Sequence, residues 1–131
     1  MILGMGTDIV DARRIGRAID HFPTRFINRI FTEAERHAAA ALPQPHAYFA
    51  KRFAAKEAVY KALSGYGMRG LGWQQAETLN QQNGAPMLRL TGQCKTALEA
   101  MTPNGYKAHI SISLSDEPPY ALAFVIIYAA P

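Results

Sequence analysis

The spacing of hydrophobic and polar residues divides the chain into a mostly helical first half and a mostly extended second half. An apolar run over residues 2–10 predicts a short buried strand. Helical periodicity follows in four segments, and the longest, roughly Ala47 to Leu63, is rich in alanine, the best helix former. The three shorter helices are expected to follow Asp11 as a cap, Pro23, and a capping box over Thr32 to Glu35. The long helix is expected to end in a turn with four glycines: Gly65, Gly67, Gly70 and Gly72.

The second half alternates between apolar and polar residues and carries turn signals. The segments expected to be strands are Trp73–Asn80, Pro86–Leu90, Tyr106–Leu114 and Tyr120–Tyr128. Asn83-Gly84 favours a hairpin turn between the first two strands, and a helix is expected from about Gln93 to Met101. We therefore predict an α+β fold, with an antiparallel sheet packed against one long helix and several shorter ones.

Length and composition are typical of one compact domain over residues 1–131. Hydrophobic residues make up 49% of the chain and charged residues 18%, which is enough to build a core. The longest apolar run, Tyr120 to Ala130, is too short to cross a bilayer as a helix, and the start of the chain does not resemble a signal peptide. The single cysteine, Cys94, has no internal disulfide partner and is expected to be buried. We expect a cytoplasmic protein with no membrane contact.

A basic region lies near the start of the chain, whose formal net charge is +4. Six arginines fall between positions 11 and 36: Arg13, Arg14, Arg17, Arg25, Arg29 and Arg36. They are compatible with an acidic protein partner, a phosphate-rich ligand, nucleic acid, or simply a solvated helix face. A small nucleic-acid-binding domain is the main alternative of another class. The aromatic residues near these cations have core spacing and no nucleic-acid motif is recognised, so we expect no nucleic-acid partner.

The long helix carries charged residues that suit a phosphate site. Glu57 and Lys61 are four residues apart and share a face, and Arg52 lies near that face. A carboxylate can bind Mg²⁺ while cations hold phosphate oxygens. An exposed Glu–Lys pair at this spacing is also a common surface ion pair, so the spacing leaves both interpretations open.

Two further polar residues lie in predicted strands. Asp8 follows two glycines in an apolar strand, where a carboxylate is costly unless it caps a helix, pairs with a cation or binds a metal. Helix cap and metal ligand explain it equally well. His109 is expected to share a strand face with Ser111 and Ser113, which makes that face unusually polar, although a histidine in a strand is more often structural.

Together these segments resemble the holo-[acyl-carrier-protein] synthase family, nearly over the whole chain and in the same order. The matching segments are the Gly-x-Gly-x-Asp opening at Gly4-Met5-Gly6-Thr7-Asp8-Ile9-Val10, the signature helix at Arg52-Phe53-Ala54-Ala55-Lys56-Glu57-Ala58 with Lys61-Ala62, and the C-terminal His109-Ile110-Ser111-Ile112-Ser113 with the closing strand. One departure is Leu63-Ser64-Gly65-Tyr66-Gly67, where the family usually has a Gly-Thr-Gly or Gly-Ser-Gly turn.

The resemblance implies a 4′-phosphopantetheinyl transferase-like fold and activity. Such an enzyme moves the 4′-phosphopantetheine group from coenzyme A to a serine of an apo acyl carrier protein, depends on Mg²⁺ and releases 3′,5′-ADP. The resemblance implies Asp8 and Glu57 as Mg²⁺ ligands and, together with Lys61, as catalytic residues. Lys61 would neutralise charge on the reacting phosphate, and Glu57 is the first candidate for the base, directly or through a metal-bound water.

The resemblance also implies binding surfaces and an assembly. The residues expected to hold coenzyme A are Arg52, Lys61, Ser64, Gly65 and His109. The arginines expected to dock the acidic carrier are Arg14 first, then Arg13, Arg17 and Arg25. A homotrimer with sites between subunits is implied as well. A ligand-binding or structural trimer with an inactive site is a further alternative, against which the presence of Asp8, Glu57 and Lys61 argues.

Overall fold

The computed structural model describes residues 1–66 and 72–131, and within these ranges it has five strands, five α-helices and two short 3₁₀ turns. In chain order they are β1 (Ile2–Asp11), α1 (Ala12–His21), α2 (Pro23–Ile30), α3 (Glu33–Ala40), α4 (Pro45–Leu63), a 3₁₀ turn (Ser64–Tyr66), a second 3₁₀ turn (Trp73–Gln75), β2 (Ala76–Asn80), β3 (Pro86–Leu90), α5 (Gly92–Met101), β4 (Lys107–Glu117) and β5 (Tyr120–Ala130). The predicted α+β class is confirmed. Gly67 and Gly70, part of the expected glycine turn, lie outside the described residues.

The strands form two antiparallel sheets. Three of them pair in the order β1-β5-β4, and β2 and β3 form a separate hairpin. The predicted turn is present: Gly84 has φ 86°, which suits glycine, and the amide of Ala85 donates to Asn83 Oδ1 at 3.0 Å. The strand prediction was wrong at Trp73–Gln75, which form a 3₁₀ turn because the amide of Gln75 donates to the carbonyl of Gly72 at 3.0 Å.

The starts of two helices follow their predicted capping signals. Asp11 accepts a hydrogen bond from the amide of Arg13 at 2.9 Å and caps α1. Thr32 and Glu35 form a capping box at α3, each side chain accepting from the other residue's amide. Because Asp11 caps α1, the alternative that Asp8 is the helix cap is excluded.

Helix α4 lies across the inner face of the three-stranded sheet and is closely packed against β1. A Cβ atom added at Gly6 would lie 2.0 Å from the carbonyl oxygen of Ala58, and one at Gly4 would lie 2.3 Å from that of Ala62. Only glycine lets the strand and helix backbones approach this closely. Because side chains alternate along a strand, Asp8 points to the same face as the two glycines. The packing therefore brings Asp8 against the C-terminal half of α4.

A buried ion pair ties α4 to α3 and β2. Lys56 Nζ lies 2.8 Å from Glu35 Oε1, and both side chains are almost fully buried. Lys56 also donates to the carbonyl of Ala76 at 2.9 Å, and Glu35 Oε2 accepts from the amide of Thr78 at 3.0 Å. Burial lowers the pKa of Lys56, while the Glu35 carboxylate opposes this shift. The pair fixes the middle of α4 relative to both neighbouring elements.

On the outer face of the three-stranded sheet, β1 and β5 carry exposed apolar side chains, whereas β4 carries the polar residues His109, Ser111 and Ser113. Met5, Ile9, Leu122 and Tyr128 expose between 37% and 64% of their surface. No helix in residues 1–66 and 72–131 is long and apolar enough to cross a membrane.

Candidate active site

Asp8 and Lys61 meet where β1 crosses α4. Lys61 Nζ lies 3.1 Å from Asp8 Oδ1 and also donates to the carbonyl of Thr7 at 3.0 Å. The Asp8 side chain is 16% exposed, whereas that of Lys61 is 52% exposed. Asp8 is therefore held in place by the sheet, while the ammonium group of Lys61 remains accessible to an anionic ligand.

Glu57 lies one helical turn before Lys61 and completes a cluster of opposite charges. Its pKa is raised, first because burial removes water from the carboxylate and second because the charge of Asp8 lies nearby. The charges of Lys61 and Arg14 act in the opposite direction. Two carboxylates that repel each other are stabilised by a cation between them, and oxygen ligands of this kind suit Mg²⁺.

The cluster has fewer ligands than a closed, all-protein metal site. Among the described residues no group of three or more His, Cys, Asp or Glu side chains is placed to hold a metal ion. Asp8 and Glu57 are thus compatible with a Mg²⁺ ion that takes its remaining ligands from a substrate and water, as Mg²⁺ sites commonly do.

A cavity of about 310 Å³ lies beside Glu57. Its lining residues are Lys56, Glu57, Val59, Tyr60, Gly72, Trp73, Ala76 and Cys94. Most of them are apolar, and the acidic group of Glu57 lies among them. The cavity is suited to a largely apolar ligand segment next to the charged cluster.

A second groove, of about 400 Å³, lies on the other side of Trp73. Its lining residues are Phe22, Arg25, Phe26, Arg29, Ile30, Phe53 and Trp73. The guanidinium carbon of Arg14 lies 5.8 Å from the centre of the Phe53 ring, so Arg14 stands between this groove and Glu57. We call this groove, with Arg14, Arg25 and Arg29, the basic groove.

The other two predicted docking arginines face a different part of the surface. Arg13 and Arg17 line a groove against residues 43–47, at the start of α4. Arg13 is also paired with Asp11 at 2.8 Å, and its hydrogen bonds lower the pKa of Asp11 to about 2. The structure therefore separates the four arginines into two pairs, and only Arg14 and Arg25 border the basic groove.

Arg52 is not brought to the charged cluster. Its side chain is buried at 3% exposure, donates to Asn80 Oδ1 at 2.8 Å and lies 3.9 Å from the ring centre of Tyr48. Arg52 is five residues before Glu57 on α4, which corresponds to a rotation of about 140° around the helix axis. The two side chains therefore point in different directions. Holding a coenzyme A phosphate would require Arg52 to leave these contacts.

His109 lies on the opposite face of the sheet from Asp8. It pairs with Tyr128 on β5, and their rings stack at 5.2 Å, whereas Asp8 pairs with Ala123 on the inner face. Ala123 in turn pairs with Leu114, five residues and roughly 16 Å along β4 from His109. One chain therefore does not bring His109 to Asp8.

Ser64 and Gly65 lie directly after α4, one turn beyond Lys61. Ser64 Oγ donates to the carbonyl of Lys61 at 2.7 Å, and a Cβ at Gly65 would meet nothing within 4 Å. Both residues are exposed. Their contact with coenzyme A stays a prediction, and Gly67 of the same turn lies outside the described residues.

The comparison with protein families agrees with this geometry. The model of the 4′-phosphopantetheinyl transferase superfamily matches residues 4–125, which include Asp8, Glu57, Lys61 and His109. The chain belongs to this superfamily. As the named relatives below show, it is an enzyme of the holo-[acyl-carrier-protein] synthase type.

Individual relatives cover the transferase almost completely. The holo-[acyl-carrier-protein] synthase of Phenylobacterium zucineum is 49% identical, covering 100% of this chain and 95% of the relative. The crystal structure of the synthase from Neisseria meningitidis is 37% identical with a TM-score of 0.83, covering 98% and 99% of the two chains. That of the synthase from Bacillus anthracis, in complex with CoA (3′,5′-ADP), is 30% identical with a TM-score of 0.75, covering 97% and 96%.

Sequence reasoning missed three features of the transferase site. Trp73 was assigned to a strand, and its place between two cavities follows from a 3₁₀ turn. Arg29 was counted among the arginines but not assigned to docking. The Glu35–Lys56 ion pair joins residues 21 positions apart in the chain, so no local sequence pattern predicts it. The one available signal was Glu35 at the last position of the predicted capping box, the third residue of α3.

Proposed function

We propose that the protein transfers the 4′-phosphopantetheine group of coenzyme A to a serine of an apo acyl carrier protein, with Mg²⁺ present and with release of 3′,5′-ADP. The observation that carries the proposal is the meeting of Asp8, Glu57 and Lys61 at one point between β1 and α4. The names of the relatives and the complex of the Bacillus anthracis synthase with CoA (3′,5′-ADP) support it.

Asp8 and Glu57 are the residues that would hold Mg²⁺. The raised pKa of Glu57 supports this assignment, because part of it arises from the charge of Asp8, which a shared cation would offset. Bound there, Mg²⁺ supplies positive charge that stabilises negative charge at the reacting phosphate.

The chain's own residues perform the remaining tasks. The serine oxygen of the carrier forms a bond to the β-phosphorus of coenzyme A, and the bond from that phosphorus to the bridging oxygen breaks, so 3′,5′-ADP leaves with that oxygen. Lys61, exposed and held close to Asp8, binds phosphate oxygens and stabilises their developing charge. Glu57, a half-buried carboxylate one helical turn before Lys61, is the proposed base that takes the proton of the serine hydroxyl.

The test is a transfer reaction in which both products are measured. The protein is incubated with coenzyme A, Mg²⁺ and an apo acyl carrier protein. The carrier is weighed by intact mass spectrometry and 3′,5′-ADP is quantified by chromatography. We expect one phosphopantetheine per carrier and an equal amount of 3′,5′-ADP, with neither product in EDTA and with both products formed much more slowly by Glu57→Gln. No mass gain with several apo carriers would remove the proposed activity.

The basic groove is the proposed docking surface for the carrier. It combines arginines with the exposed ring of Phe22 and the half-buried rings of Phe26, Phe53 and Trp73, which suits an acidic protein that also presents apolar side chains. Arg14, the first docking prediction, lies at its edge nearest Glu57. A carrier bound there would present its serine beside the charged cluster.

Arg13 and Arg17 provide a matched control for this docking surface. They are exposed arginines of the neighbouring helix α1, but they line the separate groove at the start of α4. We expect the Arg25→Ala/Arg29→Ala double variant to raise the KM for carrier about tenfold or more and leave the KM for coenzyme A unchanged. The Arg13→Ala/Arg17→Ala variant is expected to change the carrier KM less than about twofold. The reverse pattern would move docking to the other groove.

A homotrimer is the proposed assembly. The exposed apolar residues on the outer face of the sheet supply a surface that another copy of the chain can cover. His109 lies on that same face, away from Asp8 of its own chain. If His109 holds coenzyme A as predicted, it does so for the site of a neighbouring subunit.

Native mass spectrometry and complementation test this assembly together. A species of three chains is expected. Glu57→Gln and His109→Ala are each expected to be impaired when pure, and a co-expressed mixture of the two should regain activity because some sites combine two intact residues. A monomer, or a mixture no more active than its components, would contradict the shared site. The reaction is proposed to take place in the cytoplasm, with which the free thiol of Cys94 is consistent.

A further inference from the structure

Trp73 forms a wall that two separate cavities share. Trp73 lines the 310 Å³ cavity beside Glu57 and also lines the basic groove. In the described parts of the chain, no other residue lines both. A ligand in either cavity therefore lies next to Trp73.

The position of this wall is fixed by stacked aromatic rings. Trp73 stacks on Phe53 with ring centres 5.2 Å apart and an angle of 23° between the planes. Phe53 stacks in turn on Phe26 of α2, at 6.4 Å and 22°. Phe53 is one turn before Glu57 on α4, so the indole is held in a defined place relative to that carboxylate.

The turn that carries Trp73 is also held by hydrogen bonds on both sides. Gln74 Nε2 donates to the carbonyl of Asn28, in α2, at 2.7 Å. Gln75 Oε1 accepts from the amide of Gln93, in α5, at 2.9 Å. These bonds connect the turn to two helices, so the wall does not depend on the indole contacts alone.

We propose that Trp73 is a specificity-determining residue that contacts both substrates, the carrier on one side and the coenzyme A arm on the other. This inference rests on the proposed function. The cavity beside Glu57 is at the lower end of the size range of small-molecule sites, about 300–1,000 Å³, so it suits part of coenzyme A rather than the whole molecule. The indole then sets how closely the carrier surface approaches the group to be transferred.

Two neighbouring aromatic residues serve as single-cavity controls. Tyr60 is 43% exposed and lines the cavity beside Glu57 but not the basic groove. Phe22 is 57% exposed and lines the basic groove but not the cavity. Substituting each of the three aromatic residues by alanine therefore distinguishes a residue of one site from a residue of both.

Steady-state kinetics of the full-length variants give the first test. We expect Trp73→Ala to raise the KM for coenzyme A and the KM for carrier, each about tenfold. Tyr60→Ala is expected to raise only the KM for coenzyme A, and Phe22→Ala only the KM for carrier. Trp73→Phe, which keeps a ring against Phe53, should stay within about threefold of wild type for both. A Trp73→Ala variant that changes one KM or neither overturns the inference.

Fluorescence gives a second test that does not require the alanine variant to fold. Trp73 is the single tryptophan of the chain, so its emission reports only on this position. We expect saturable changes in the emission of the wild-type protein with coenzyme A alone and with a tryptophan-free apo carrier alone. The Arg25→Ala/Arg29→Ala variant should weaken only the carrier response. Emission that responds to one ligand or to neither overturns the inference.

The two proposals fail in different ways. If the wild-type protein adds no phosphopantetheine to any apo carrier, the proposed function is wrong, and the inference about Trp73 is wrong as well. If the wild-type protein transfers the group but the Trp73 variants and the fluorescence give the contrary results, only the inference about Trp73 fails.

Discussion

Lys61 Nζ lies 3.1 Å from Asp8 Oδ1, across the contact between β1 and α4. The two residues are 53 positions apart in the chain, and the close approach of Gly4 and Gly6 to the helix backbone brings them together. The Lys61 side chain is about half exposed, and solvent weakens the attraction between the two charges. The geometry of the ion pair therefore depends on the backbone contact between β1 and α4.

The backbone contact predicts the effect of a single methyl group at Gly6. In Gly6→Ala the new Cβ would lie 2.0 Å from the carbonyl oxygen of Ala58, so strand and helix must separate. We expect a loss of about 1–3 kcal/mol in the free energy of unfolding, measured by urea denaturation, together with loss of transfer activity. Gly65→Ala is the control for stability, because its Cβ meets nothing within 4 Å. Equal stability of the two variants would contradict the tight contact.

The titration of Glu57 tests the electrostatics of the cluster. In protein without Mg²⁺ we expect its carboxyl pKa to lie above the ordinary value of 4.5, because of burial and the charge of Asp8. Asp8→Asn should lower this pKa and Lys61→Met should raise it. The pKa of Glu57 is measured in the wild-type protein and in both variants by carbon-13 NMR of labelled glutamate. Since protons compete with Mg²⁺ for the carboxylate, metal affinity should weaken as the pH falls towards this pKa. A pKa that does not respond to Asp8→Asn would contradict the arrangement.

The buried Glu35–Lys56 pair predicts a large loss of stability when one partner is removed. Glu35→Leu leaves the ammonium group of Lys56 buried without its partner. We expect this variant to lose about 3–5 kcal/mol in the free energy of unfolding, measured by urea denaturation. The double variant Glu35→Leu/Lys56→Met removes both charges and should recover part of this loss. It should not recover all of it, because the amides of Thr32 and Thr78 also lose their acceptor.

An exposed ion pair is the control for this measurement. Lys51 lies 3.6 Å from Asp116, and both side chains are partly exposed. Lys51→Ala is expected to cost less than about 1 kcal/mol. If the double variant is no more stable than Glu35→Leu alone, the buried charge is not the source of the loss.

Cys94 is expected to be unreactive in the folded protein. Burial raises the pKa of its thiol to about 11, so at pH 8 the reactive thiolate is scarce. A disulfide reagent should therefore label the native protein slowly at pH 8 and the guanidinium-unfolded protein quickly. Similar labelling rates for the two states would contradict the buried position of Cys94.

The elements and the helix caps could be predicted because their signals are local. The capping box at Thr32 and the turn at Asn83-Gly84 depend on residues within a few positions of each other, and both are confirmed. Helix α4 begins two residues earlier than predicted, at Pro45, which suits the first position of a helix. Trp73–Gln75 were wrongly assigned to a strand because the side-chain bonds of Gln74 and Gln75 to other helices decide that turn.

The arrangement of the site could be predicted only in part. The order of the family motifs along the chain predicted that Asp8, Glu57 and Lys61 belong to one site. In the structure these three residues lie close together. Spacing along α4 did not show that Arg52 points into the protein, because the packing of β2 decides this. The division of the arginines likewise depends on how α1 and α2 pack against the rest of the chain. These relationships are tertiary and leave no periodic signal.

Asp8 and Glu57 are proposed to hold jointly the Mg²⁺ required for transfer, and the transfer rate as a function of Mg²⁺ concentration tests this shared site. Asp8→Asn and Glu57→Gln are compared with wild type and with Asp20→Asn, an exposed carboxylate on the far side of α1 paired with His46. We predict that the first two variants need at least about tenfold more Mg²⁺ for half-maximal rate, while Asp20→Asn follows the wild-type curve. Curves for Asp8→Asn and Glu57→Gln that superimpose on wild type, whatever their maximal rates, would contradict a Mg²⁺ site shared by Asp8 and Glu57.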